Sequence, residues 1–374
     1  MKKGRIIVAG AVANKADQGG EAWVRLNWVL GLRKLGFEVL FVEQLTTDAP
    51  KSGVDFFRTT MQRHGLLESS ALLGEGRALC GIDLACVLDF AADADALINI
   101  SGHLTLDAVF ERIPRRAYVD IDPGFTQIWH AQGATGLGIA RHNYHFTIGE
   151  NIGTPGCAIP TSGIHWRKTR PPVVLEEWPV LAGAAFDRFT TIANWRGSFG
   201  PLEFEGRTYG IKVHEFRKCI GLPRATSLPF EIALGIHPAD HNDRAALDAA
   251  GWRLTDPILA AGSTDSFREY VRGSGAEFSV AQGVYVHTGS GWFSDRTAVY
   301  LASGRPALVQ DTGFGKNLPT GRGLLAFSTP DEAAAGAASI VSDYARHSRA
   351  AREVAEECFD SQKVLGTLMS EIAG

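Results

Sequence analysis

Two glycine loops bracket the residues best suited to hold an anion. Thr288-Gly289-Ser290-Gly291 precedes Arg296 by one helical turn or so, and a later apolar run ends at Asp311-Thr312-Gly313. Glycine lets a phosphate approach the backbone without a Cβ in the way, and free N–H groups at a helix N-terminus favour negative charge. Gly289, Ser290 and Gly291 therefore read as an anion cradle, with Arg296 adding a charge-assisted bond. Asn194-Trp195-Arg196 follows a β-branched run, where it could stack on a base or clamp a phosphate. Lys212 could reach the same diphosphate, although a solvated ion pair with Glu215 is the plainer reading. Nearer the N-terminus, Asp17, His103 and Asp122 each follow an apolar run. His103 titrates closest to neutrality, which suits general acid or base work, whereas single carboxylates after strands also cap turns.

The elements that must place these groups alternate between strands and helices. Arg5–Ala9 reads as a first strand, Ala13 to Gly20 as its glycine-bearing loop, and Glu21–Leu35 as an amphipathic helix closed by Gly36 before a strand at Val39–Val42. This start lacks the second glycine of the dinucleotide fingerprint, which argues against a nicotinamide cofactor. Gly19-Gly20 is either a close-approach pair or simply a helix-starting turn. Further strands are expected at Ala96–Ile100, Arg116–Asp120, Tyr144–Gly149, Phe189–Ala193, Phe230–Ile236, Val284–His287 and Ala307–Gln310. Helices are expected at Leu104–Glu111, Asp240–Ala250, Ser266–Gly273 and Ser294–Ala302, and Thr329-Pro330-Asp331-Glu332 is an N-cap for a helical tail. The pattern is that of doubly wound α/β domains. Pro160, Pro171 and Pro172 mark a boundary, which gives an N-terminal domain over 1–174, a second over 175–350 and a terminal helix over 351–374.

Composition bounds the function. A chain of 374 residues with 45% hydrophobic and 21% charged residues is long enough for two cores. A net charge of −4 offers no electrostatic footprint for nucleic acid. Five scattered cysteines without metal-ligand spacing point to reduced thiols in the cytoplasm and no structural zinc. The histidines between Phe125 and Pro172 likewise lack metal-ligand spacing. Met1 to Arg5 followed by an apolar run imitates a signal peptide, but the run is short and leads into the helix it would lose on cleavage. No apolar run is long enough to span a membrane.

The order GSGWFSDR, helix, LASGRPALVQDTGF and LPTGRGLLAFSTPDEA is similar to the nucleotide-sugar half of GT-B glycosyltransferases. It looks closest to a bacterial branch, spore-maturation-protein-like or group 1, that carries S-G-x-x-x-x-R before a helix ending in an A-S-G-x-P turn. The match is close over about 45 residues and architectural elsewhere. The resemblance implies two Rossmann-like domains facing a cleft, with the last helix crossing back to the N-terminal domain. It implies a metal-independent transferase without cofactor that takes a nucleoside-diphosphate sugar as co-substrate. Gly19, Gly20, Asn194, Trp195, Arg196, Lys212, Gly289, Ser290, Gly291 and Arg296 would bind the donor, and Asp311 the sugar hydroxyls. Asp17, His103 and Asp122 would face an acceptor that is a small molecule, a glycan or lipid-linked. A nucleotide-sugar 2-epimerase or hydrolase, and a silent sugar-nucleotide-binding partner, remain open on the same fold. The Glu-x7-Glu arrangement of many retaining members is missing over Ser294–Ala302.

Overall fold

The computed structural model describes residues 3–45, 50–183, 185–197 and 199–373. β1 (Lys3–Ala9), β2 (Phe37–Leu45), β3 (Ser70–Gly74), β4 (Arg77–Gly81), β5 (Ala96–Ile100), β6 (Arg115–Asp120), β7 (Tyr144–Thr147) and β8 (Trp166–Lys168) form one sheet. Its order is β4-β3-β2-β1-β5-β6-β7-β8, and only the β3/β4 pair is antiparallel. β9 (Phe189–Asn194) is followed by a hairpin of β10 (Leu202–Phe204) and β11 (Arg207–Tyr209). It then joins β12 (Phe230–Gly235), β13 (Trp252–Thr255), β14 (Ala276–Ser279), β15 (Ala307–Gln310) and β16 (Leu324–Phe327) in a second, parallel sheet. That sheet runs β13-β12-β9-β14-β15-β16.

Strand order reverses at β1 in the first sheet and at β9 in the second, so each sheet has a crevice at the carboxyl end of a central strand. Ile6 to Ala9 are fully buried, as expected for a parallel strand covered by helices on both faces. The doubly wound α/β expectation is met in both halves, and most of the expected strands fall within a residue or two of the observed ones.

Val284–His287 is a correction. It is not a strand: Gly283–His287 is a helix, and the strand of that unit is β14, which the sequence reading missed. Glu277 hides β14 from an apolar scan, because it is 0% exposed yet ionic and paired to Arg296. Four apolar-looking residues in Val284-Tyr285-Val286-His287 fit one helical turn as well as a strand, and periodicity over so short a run cannot choose.

The chain returns to its first half at the end. Val173 N–H donates to Phe359 O at 2.7 Å, and Val173 O accepts from Ser361 N–H at 2.9 Å. The tail therefore breaks at Phe359-Asp360 into two helices. Tyr344–Cys358 packs on Asp295–Ala302 in the second half, and Ser361–Ala373 packs on Gly19–Lys34 in the first. One apolar core runs through both halves, with Trp23 edge-on to Trp178 at 5.0 Å and Trp178 edge-on to Phe267 at 6.0 Å. Among the described residues no helix is long and apolar enough to cross a membrane.

Candidate functional site

A cleft of about 670 Å³ opens between the carboxyl ends of the two sheets. Two buried carboxylates set the loops that form its N-terminal wall. Glu43 on β2 accepts from the backbone N–H groups of Val12, Ala13 and Asn14 at 2.8, 2.7 and 2.9 Å, which fixes the loop after β1 and so places Lys15 on the cleft. Asp120, at the end of β6, is 0% exposed and accepts from Thr126, Gln127 and Thr147 side chains at 2.7 Å each. It also accepts from the Asp122 N–H at 3.2 Å, and thereby holds Asp122 in the cleft.

Asp17, Gly20, His103 and Asp122 all line this wall. Asp122 accepts from the Tyr285 hydroxyl of the other half at 3.0 Å. Burial pushes its carboxyl up to about 6, with Asp120 and Glu21 adding to the shift. Burial drives His103 the other way, to about 4, helped by Arg25 and Lys15, so its ring is neutral at pH 7. Asp17 is exposed and has a left-handed backbone, φ 58°.

Gly19 lies elsewhere than expected. It is buried, and a Cβ built on it would sit 1.9 Å from Ser263 O, so it packs backbone to backbone against the second half instead of facing a phosphate. Gly20 is tight against the Phe267 ring, at 2.9 Å from a built Cβ.

On the opposite wall, Asn194, Lys212, Gln282, Asp295 and Arg296 line the cleft. Lys212 is anchored through its backbone N–H, which donates to Gln282 Oε1 at 2.6 Å. Its ammonium group has no hydrogen-bond or ion-pair partner among the described residues. Glu215, the partner considered for it, bonds Lys218, His287 and Gln310 instead. Burial and the nearby Arg296 hold the Lys212 pKa down to about 8. Arg296 has its guanidinium committed: it donates to Glu277 Oε1 at 2.6 Å, Ile192 O at 2.7 Å and Ser279 Oγ at 2.9 Å. It ties β9 to β14 and adds positive potential beside Lys212.

Several expected donor contacts are corrected by their surroundings. The N–H groups of Gly289, Ser290 and Gly291 bond Val286 O, Tyr285 O and Thr312 O at 3.2, 3.2 and 2.8 Å, so none is free for an anion. The loop follows a helix instead of a strand, and this turns it towards the first half. There Asn151 donates from Nδ2 to Gly289 O and Gly313 O at 3.0 Å each, and from its N–H to Ser290 O at 3.1 Å. Trp195 is 2% exposed in the core against Phe216, and its indole donates to Asp243 at 2.8 Å. Arg196 grips Asp240 and does not line the cleft. Asp311 caps its own turn by accepting from Gly313 N at 2.7 Å, also away from the cleft.

Sequence reasoning missed Lys15, Glu21, Arg25, Tyr285 and Asp295. Glu21 and Arg25 form an i,i+4 pair in the first turn of the Gly19–Lys34 helix, a spacing that reads as an ordinary surface pair. Burial raises the Glu21 pKa, but Arg25 and Lys15 outweigh it and the net shift is downward. Asp295 opens the Asp295–Ala302 helix on the cleft, where burial and then Glu21 push it up to about 7. Its place beside Arg296 in the quoted motif was the available signal.

No family model matches the chain, and no curated protein matches it in sequence. Solved structures do match over the whole length. An alpha-glucosyltransferase in complex with UDP and a 13-mer DNA containing a HMU base superposes with a TM-score of 0.63 at 12% identity, covering 100% of both chains. HepE from Anabaena in complex with UDP gives 0.59 at 10% identity, over 99% of this chain and 100% of that one. Sucrose-phosphate synthase from Thermosynechococcus elongatus gives 0.56 at 11% identity, over 99% of each. The chain therefore has the GT-B fold of these glycosyltransferases, as its sequence resemblance implied.

Proposed function

We propose that this protein is a glycosyltransferase that moves a sugar from a nucleoside-diphosphate donor to an acceptor hydroxyl. The observation that carries the reading is the ammonium of Lys212, partly buried in the wall of an inter-sheet cleft with no hydrogen-bond or ion-pair partner among the described residues, on a fold whose neighbours were solved with UDP. A partly desolvated ammonium without a hydrogen-bonded counter-ion gains from one, and a diphosphate would supply it. Lys212 takes that role, with Arg296 and Asn194 beside it. Lys15 faces the same space from the first half and also has no side-chain partner among the described residues.

Asp122 is the proposed base. It is raised towards neutrality and held between Asp120 and Tyr285, so it can take a proton from an acceptor hydroxyl as the glycosidic bond forms and the diphosphate leaves. His103 and Asp17 stand on the same wall as acceptor contacts. The charge of the departing diphosphate is met by protein cations, a role that requires no metal in this reading. DNA, which one neighbour binds, is not carried over, because a net charge of −4 supplies no general attraction for a polyanion.

Calorimetry with UDP, GDP and dTDP, followed by mass-spectrometric detection of transfer from the matching sugars, tests the reading. One nucleoside diphosphate should bind, and Lys212→Met should weaken it about 10-fold to 100-fold without lowering the melting temperature. Equal binding by the variant would remove Lys212 from the site. Turnover of the donor without acceptor would move the assignment to a hydrolase or epimerase.

A further inference from the structure

The cleft carries an aromatic run that the donor-binding groups do not use. Trp292 stacks on Tyr285 with centroids 4.4 Å apart and an interplanar angle of 27°. Tyr285 meets Phe125 edge-on at 6.1 Å, Phe125 meets Trp129 at 5.4 Å, and Trp129 meets Phe199 edge-on at 5.0 Å. Trp129, Phe199, Tyr285 and Trp292 all line the cleft, and both tryptophans are half-buried. The run crosses the seam, since Phe125 and Trp129 belong to the first half and the other three to the second. It also reaches the proposed base, because the Tyr285 hydroxyl donates to Asp122.

The polar edges of this run narrow the choice of ligand. Of the eight tryptophans, Trp23, Trp195 and Trp252 donate their indole N–H within the fold, and Trp28, Trp166 and Trp178 lie in the core, where their indole N–H groups have no partner and no ligand can reach them. The remaining two are Trp129 and Trp292, and neither indole N–H has an acceptor among the described residues. An apolar aromatic wall bordered by two free donors and a carboxyl suits a ring that has C–H groups on one face and hydroxyls around its rim. The C–H groups lie on the electron-rich faces of the tryptophans, the hydroxyl oxygens accept from the indoles, and one hydroxyl proton points at Asp122. A plain hydrocarbon or aryl group would leave two donors unsatisfied in a drying cleft.

We propose that Trp129 and Trp292 form the acceptor subsite and that the acceptor presents a carbohydrate ring, so the chain extends a glycan or glycoside instead of glycosylating an alkyl or aryl alcohol. The placement beside Asp122 rests on the transferase reading, whereas binding of a sugar ring to the tryptophans does not.

The test follows the tryptophan indole N–H resonances of the full chain, assigned with Trp129→Phe and Trp292→Phe. Cellobiose, maltose and lactose are added in turn, then 4-nitrophenol, 1-octanol and UDP. At least one disaccharide should shift both resonances, and Trp129→Ala should bind it at least about tenfold more weakly with UDP affinity unchanged. Trp129→Phe keeps the ring and should lose less, which separates a lost platform from a damaged fold. Shifts caused by UDP alone would give the platform to the donor base and overturn the inference. So would shifts with 4-nitrophenol or octanol and none with any sugar, or silence throughout. Absence of nucleotide binding alongside sugar-induced shifts would sink the transferase reading and leave the sugar subsite standing.

Discussion

Asp122 and Lys212 are each held in a setting that disfavours their charge, and this gives two pH dependences of opposite sense. The Asp122 pKa is raised to about 6 from an ordinary 3.8, first by burial. The native state therefore binds that proton more tightly than the unfolded chain, so the contribution to stability is full below about 3.8 and lost as pH rises through about 6. As a base it acts only when ionised, so turnover should rise through a limb near pH 6. Asp122→Asn should remove the limb and cost roughly 10²-fold to 10⁴-fold in turnover, read from rate profiles between pH 4.5 and 8 chosen to span that value. A profile that keeps its limb in the variant would hand the role to another group. Lys212 is lowered to about 8 from 10.5, so its burial costs stability below about 8 and the cost fades as pH rises towards 10.5. Nucleotide affinity should fall as pH climbs through about 8, and that decline should be missing in Lys212→Met titrated by calorimetry.

At the scale of elements, the central strands and the crevice they create were readable, because β1, β5, β9 and β15 are runs of apolar or β-branched residues ending at glycine or polar loops. The use of each loop was not. Gly289, Ser290 and Gly291 have the composition of an anion cradle, yet a five-residue helix before them reverses their direction and their amides bond within the fold. Trp195 sits one residue beyond β9, where sequence cannot say which way the chain turns; it turns inward to Asp243. Glu43, Asp120 and Glu277 were invisible as supports because a buried carboxylate in a strand looks like a break in the apolar pattern. The glycine loop's real partner yields a prediction. Asn151→Ala strips the bonds to Gly289 O and Gly313 O and the one accepted from Asn317 Nδ2 at 2.9 Å. Two partly buried carbonyls then lose their side-chain donor, at a cost of about 1–3 kcal/mol. Urea denaturation should show it as a lower midpoint; an unchanged midpoint would mean that water replaces the amide. Glu43→Ala should act locally instead, loosening Val12 to Asn14 and raising the hydrogen exchange of those amides.

Over the whole molecule the two halves touch on both sides of the cleft, and this changes what ligand binding can do. A donor anchored in one half and a base in the other suggest a cleft that narrows when nucleotide arrives. One flank, however, is already closed by Asn151 against the Gly289 loop and by Gly149 bridging to Trp292. The other is closed by Trp23 Nε1 donating to Thr264 O at 2.8 Å, by His64 beside Thr264 at 3.2 Å, and by Gly19 lying under Ser263. Asp122 and Tyr285 meet across the middle at 3.0 Å. UDP should therefore leave the radius of gyration of the wild-type chain unchanged in small-angle scattering. Gly19→Val is the informative variant. Its side chain starts 1.9 Å from the Ser263 carbonyl, a backbone atom that can yield only if the Ser263 segment moves away. The flank should open, the radius of gyration should rise, and the melting temperature should fall. UDP should still bind through Lys212, while turnover drops because Asp122 no longer faces the donor. Compaction of the wild-type chain on adding UDP would show instead that the seam opens in solution, and a Gly19→Val chain with the wild-type radius would show that this seam does not hold the halves together.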